Sequence, residues 1–183
     1  MTRGNRKSRT GKRLAKPLDP ARLRDLALHY VGRYATSRAR LSAYLARKIR
    51  EHGWVEGEPI ADIEGLVTDF DRLGYVDDAA FAASRARSLT QRGFGLRRIN
   101  DDLRAKGISE SDSADARADS EDNAWTSADR FARRKRIGPY ATEAAPQELR
   151  QKQLQAFLRA GHSFDIAKAF VRAAPGEQPD MLG

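Results

Sequence analysis

No cysteine occurs among the 183 residues of this chain. That excludes disulfides and thiolate-ligated metals, and it fits a reducing compartment. Long apolar runs are missing too: nothing approaches the roughly 20 apolar residues that cross a bilayer. No stretch alternates apolar and polar residues as a half-buried strand does. Histidine is scarce, and His29, His52 and His162 lack neighbours at metal-ligand spacing. The opening MTRGNRKSRTGKRLAK is basic, but no apolar core follows it, so no secretory signal is expected.

What is present is charge and helical periodicity. Forty per cent apolar with 32% charged residues describes a helical, non-membrane protein. The net charge of +9 is unevenly placed, because residues 1–16 hold seven Lys or Arg and no acid. The other 167 residues therefore carry only +2. A nearly balanced body is no argument by itself for nucleic-acid binding. The tail either adds salt-sensitive attraction to a polyanion or serves as a solvated, disordered arm.

The organising stretch is Gly74–Ile108, which reads as helix, glycine turn, helix, glycine stop. Asp77 is placed to cap the first helix, and Asp78 suits the positive end of its dipole. Ala79, Ala82, Ala83, Ala86 and Leu89 share one face, with Phe81 at its edge. Gly93-Phe94-Gly95 breaks the helix, Leu96, Ile99 and Leu103 mark a second one, and Gly107 stops it.

Asp19-Pro20 starts an earlier helix bearing Leu23, Leu26, Ala27, Tyr30, Val31 and Tyr34. Ser37 caps the next, which carries Leu41, Tyr44, Leu45 and Ile49 and stops at Gly53. A third helix is expected over Ile60, Ile63, Val67, Phe70 and Leu73. Beyond Gly107, the stretch Ser109–Asp122 has six acids and one arginine. Its alanines keep phase with Trp125, Ala128, Phe131 and Ala132, which predicts one long helix with a frayed acidic start, ended by Arg133–Arg136. Helices over Pro146–Ala160 and around Ile166–Val171 complete the chain.

Three pairs, Leu41/Leu45, Ile99/Leu103 and Ile166/Phe170, each lie four apart in the second helix of a pair. Ser37, Gly95 and His162 stand four residues before them. Such units stack so that neighbours bury each other's faces. The expected fold is all-α, with one helix-pair layout appearing three times along an elongated modular array. The limits read as a basic tail 1–18, repeats 19–74, 75–136 (with an acidic insertion near 109–122) and 137–174, and a tail 175–183.

No constellation suggests catalysis. Asp77-Asp78 and Asp101-Asp102 are neighbours that point in different directions on a helix. Gly93-Phe94-Gly95 is a fragment of a dinucleotide fingerprint with no strand before it. Trp54, Trp125, Tyr44 and Phe131 read as core rather than as platforms for bases. Arg97 and Arg98 are different, since they sit in a helix's first turn, where cations oppose the dipole. Either they form an anion pocket with the glycine turn, or they pair with Asp101 and Asp102 one turn on. Arg38 and Arg40 occupy the matching turn of the first unit, and Arg85 and Arg104 extend the basic row. These six are the candidate partner- or DNA-binding residues, and Arg87 reads as solvated.

G-Y-V-D-D-x-x-F-A at Gly74–Ala82 and G-F-G-x-R-R-I-x-x-x-L-x-x-K-G-I at Gly93–Ile108 resemble the signature of the RecX family, bacterial regulators of the RecA recombinase. Ser37-Arg38, Leu41, Leu45 and Lys48 agree, as do Phe131–Pro139 and Leu158–His162. The likeness covers roughly residues 20–174, and the basic tail and acidic insertion depart from a minimal member. It implies three three-helix repeats in a cytoplasmic monomer with neither catalysis nor cofactor of its own. It also implies binding in the groove of the RecA–DNA filament, restraining strand exchange, ATP hydrolysis and coprotease activity, with single-stranded DNA touched weakly or indirectly. A rival reading is a DNA-binding helical module that acts without RecA.

Overall fold

The structure, a computed structural model, describes residues 16–180. The expected basic tail therefore lies almost wholly outside the described residues. Nine α-helices and no strand occur among those described: α1 Pro20–Arg33, α2 Arg38–His52, α3 Ile63–Arg72, α4 Asp78–Gln91, α5 Leu96–Arg104, α6 Ala114–Asp122, α7 Ala124–Lys135, α8 Gln147–Arg159 and α9 Phe164–Arg172. A single 3-10 turn, Gly138–Tyr140, follows α7.

The helix starts follow from local chemistry. Asp19, Ser37, Asp77 and Ser163 each accept a backbone N–H from the first turn of the helix they cap. Leu18 is held by backbone hydrogen bonds to Gly53 and Val55, both 2.9 Å, which ties the entry of α1 to the exit of α2.

Apolar side chains gather into three separate cores. Leu23, Ala27, Leu41, Leu45, Val67 and Phe70 join α1, α2 and α3. Ala82, Ala86, Leu89, Ile99, Leu103 and Ala116 join α4, α5 and α6. Ala128, Phe131, Phe157, Ala167, Phe170 and Val171 join α7, α8 and α9. The protein is thus a helical repeat array with one small core per three helices. In the first two units the pair of helices joined by a four-residue turn comes first and the third helix follows. In the third unit the extra helix, α7, precedes the pair α8–α9.

The structure corrects several local expectations. The long helix over residues 114–135 is two helices that meet at Asn123, whose side-chain amide donates to the Asp119 carbonyl at 2.7 Å. One straight helix could not serve two cores, and Ala116 faces the second while Phe131 faces the third. The acidic stretch is accordingly the third helix of the second unit, with Ala116 and Ser120 buried. Ile60 stands outside α3 and is 94% exposed, because the loop after Pro59 carries it away from the core. In the third unit the cap is Ser163, one residue past His162, so Ala167 and Val171, rather than Ile166 and Phe170, hold the positions of Leu41 and Leu45. Ile166 is only partly buried.

Candidate functional site

The helix corners singled out by the sequence lie at the joints between units. At the first joint, the N-terminus of α2 meets the end of α5. The Ser37 hydroxyl donates to the Lys106 carbonyl at 2.8 Å, and the Ser37 side chain is fully buried. Gly107 lies so close that a Cβ there would overlap the Ala39 methyl. The Arg38 guanidinium reaches Asp78 at 3.1 Å, Asp112 at 2.6 Å and Asp71 at 3.5 Å. Asp78 is 4% exposed and also accepts the Arg38 backbone N–H at 2.9 Å. Its hydrogen bond to Arg38 is the main cause that raises the already high guanidinium pKa. Asp78 stands in the first turn of its own helix, as expected, and also links two units.

The second joint repeats that geometry one unit along. The N-terminus of α5 meets the end of α8, where Gly95 N–H donates to the Ala160 carbonyl at 2.9 Å and Arg97 N–H to the Gly161 carbonyl at 3.2 Å. Each contact sets the positive end of one helix against the negative end of another. Gly161 has φ +93°, and a Cβ on it would overlap the Arg98 backbone. The Ser127 hydroxyl donates to the Phe94 carbonyl at 2.8 Å. His162, 6% exposed, shares a 3.2 Å hydrogen bond between Nε2 and the Gly93 carbonyl. Burial between Phe131 and Phe157 lowers its pKa to about 4, and nearby Arg134 contributes in the same direction.

The six candidate arginines divide sharply. Arg38 is committed to the first joint. Arg85 makes a two-pronged contact with Asp102, at 2.7 and 2.9 Å, which ties α4 to α5. Asp102 also takes Lys106 at 3.0 Å, and these contacts, Arg85 first, hold its pKa at about 2. Arg104 sits 3.7 Å from Asp101 as a loose surface pair. Asp101 and Asp102 are thus taken, and Arg97 and Arg98 are exposed with no ion pair among the described residues. Neither expected reading for Arg97 and Arg98 holds as stated: no pair forms with Asp101 or Asp102, and the N–H groups an anion pocket would use are taken, because Gly95 and Arg97 donate to the Ala160 and Gly161 carbonyls. Arg40 is likewise exposed and unpaired among the described residues. It stands at the third position of α2, as Arg98 does in α5, whereas Arg38 corresponds to Leu96.

Two cations escaped the sequence reading. Arg134 donates to the Arg92 carbonyl and lies over the rings of Phe94 and Phe131, at 6.0 and 5.6 Å. Arg92 lies over Phe94 at 5.3 Å. The run Arg133–Arg136 looked like a helix end complementing its dipole, and nothing in its local pattern indicates a contact with a loop some forty residues earlier.

Comparison with known proteins decides the kinship. The chain is 35% identical over 178 residues to the regulatory protein RecX of Myxococcus xanthus, spanning 93% of this chain and 95% of that one. The chain belongs to the RecX family. The regulatory protein RecX of Halorhodospira halophila is 30% identical over 161 residues, covering 88% and 92% of the two chains. Residues 77–116 match the family described as RecX, second three-helix domain, a span that covers α4, α5 and the start of α6. The crystal structure of RecX from Lactobacillus salivarius superposes with a TM-score of 0.60 at 21% identity, over 83% of this chain and 94% of that one. That likeness supports the helical repeat fold. RecX proteins are named as regulators, and no described helix here is long and apolar enough to cross a membrane.

Proposed function

We propose that this protein is a cytoplasmic, non-catalytic regulator that lays its helical units along the RecA filament on single-stranded DNA and restrains RecA's ATPase, recombinase and coprotease activities. The observation that carries the reading is the 35% identity, across nearly the whole of both chains, to a protein named regulatory protein RecX. The working modules are residues 16–76, 77–122 and 123–180, one per core. Several modules touching successive protomers gain affinity from effective concentration without any strong single contact.

The exposed Arg40, Arg97 and Arg98 are the docking cations in this reading, with Arg104 at the edge. Arg38 and Arg85 act indirectly, by holding the units that present them. The test is RecA ATPase on single-stranded DNA, titrated with the full chain and with the double variant R97E/R98E. The expected result is loss of inhibition with helical circular dichroism intact, since both side chains are exposed. Full inhibition by the double variant rejects these docking residues. Absence of inhibition by the natural chain rejects the regulatory reading itself.

A further inference from the structure

The first unit carries an open groove of about 820 Å³ between α1 and α2. Arg33, Arg40, Arg47, Lys48 and Arg50 line it, and no carboxylate does. Glu51 engages Arg47 at 2.6 Å and Lys48 at 2.8 Å. Arg33, Arg40 and Arg50 have no ion pair among the described residues. On α2, Arg40, Tyr44 and Arg47 recur at four- and three-residue spacing, which puts them on one face.

Three tyrosines run through this basic surface. Tyr30 and Tyr44 stack at 4.1 Å with planes 14° apart. Tyr34 packs on Tyr30 at 5.4 Å with planes tilted by 49° and is 51% exposed, so it forms the open end of the ring cluster. Arg33 lies over the Tyr34 ring at 5.9 Å. Cations alone would suit any polyanion. A cluster of rings ending in an exposed face suits a polymer that alternates phosphates with unstacked bases. A duplex keeps its base faces covered, and an acidic peptide leaves the rings without a counterpart.

We infer that this groove binds single-stranded nucleic acid directly, with a base extending the cluster at Tyr34 and phosphates resting on Arg33, Arg40 and Arg50. The site extends the reading above, because it gives the first unit its own hold on the strand without RecA.

The experiment uses the full chain, so residues 1–16 are the same in every variant. An oligothymidylate carrying one iodouracil is crosslinked in the absence of RecA, and affinity is measured by fluorescence anisotropy across a salt series. The expected crosslink maps to the peptide holding Tyr34. Tyr34→Ala loses it and binds roughly 10-fold more weakly, whereas Tyr34→Phe retains both. Arg33→Glu with Arg40→Glu lowers the salt slope by about 2. Three results overturn the inference: unchanged binding by Tyr34→Ala, crosslinks confined to residues 1–16, or displacement of the oligonucleotide by polyglutamate at equal charge concentration. RecA ATPase is read in parallel. A chain that never inhibits RecA yet crosslinks through Tyr34 sinks the regulatory reading and supports the groove. Inhibition that persists in a Tyr34→Ala protein lacking strand affinity supports a strand hold separable from docking through Arg97 and Arg98, with Arg40 the residue the two surfaces share.

Discussion

The Arg38 guanidinium on α2 lies 3.1 Å from the Asp78 carboxylate on α4, and Asp78 is 4% exposed. One side chain thus ties the first unit to the second through a buried acceptor. Removing the arginine leaves that carboxylate with a backbone N–H and little else. Arg38→Ala is expected to cost about 1–3 kcal/mol, the price of an under-satisfied buried group. The check is a urea titration followed by probes in each of the first two units, whose midpoints should separate in the variant. Coincident, unshifted transitions would show that Arg38 does not couple the units.

The second joint depends on the absence of a side chain. Gly161→Ala adds a Cβ against the Arg98 backbone at a left-handed φ of +93°. The expected loss is about 2–5 kcal/mol from backbone strain and overpacking together. Gly74→Ala is the control, because its φ of +75° is similar and it closes α3 in a left-handed stop, but no atom lies within 4 Å of the added Cβ. That change should cost only about 1–2 kcal/mol. Equal melting shifts in the two variants would refute the close-approach account.

Separate cores predict separable stability. Phe70 is fully buried in the first core and Phe157 in the third. Phe70→Ala should lower the first unit's stability by about 3–5 kcal/mol. Hydrogen exchange in α8 and α9 should barely change, since terms in a repeat array run between neighbours. Uniform loss of protection along the whole chain would indicate a single cooperative core instead.

His162 makes the second joint acid-sensitive. Its folded pKa, lowered to about 4 by burial, lies below the ordinary 6.5, so the unfolded chain binds the extra proton first. The histidine's contribution is therefore complete above pH 6.5 and falls as pH drops toward 4, by at most about 1.4 kcal/mol per unit. A His162→Phe variant lacks this term. Between pH 7 and 5 the natural chain's melting temperature should fall more than the variant's, and parallel curves would contradict the assignment.

Much of the fold was legible because it is local. Caps at Asp19, Ser37 and Asp77, stops at Gly53 and Gly107, and three-four spacing of Leu41/Leu45 and Ile99/Leu103 place most helices within a residue or two. The break at Asn123 was hidden, because the alanines of α6 and the aromatics of α7 stay in helical phase across it. Periodicity records an apolar face, not which core that face meets. The site was half legible. Charge in the first turn marked Arg97 and Arg98, but no spacing rule could separate exposed Arg98 from Arg38, whose three aspartates lie 33 to 74 residues away. Tyr44 read as core by position and does pack, half-buried, against the first core, while only its stacking on Tyr30 beside the cations shows that its other side also lines a surface groove.

By itself, then, the sequence determined an all-helical chain of small units, its corner glycines and its kinship, since capping, periodicity and motif spacing act over a few residues. The tertiary structure alone decided how the units join and which arginines remain open. Those outcomes depend on carboxylates and carbonyls that distant turns bring within 3 Å or so of each other, a range at which charge pairing overrides local position.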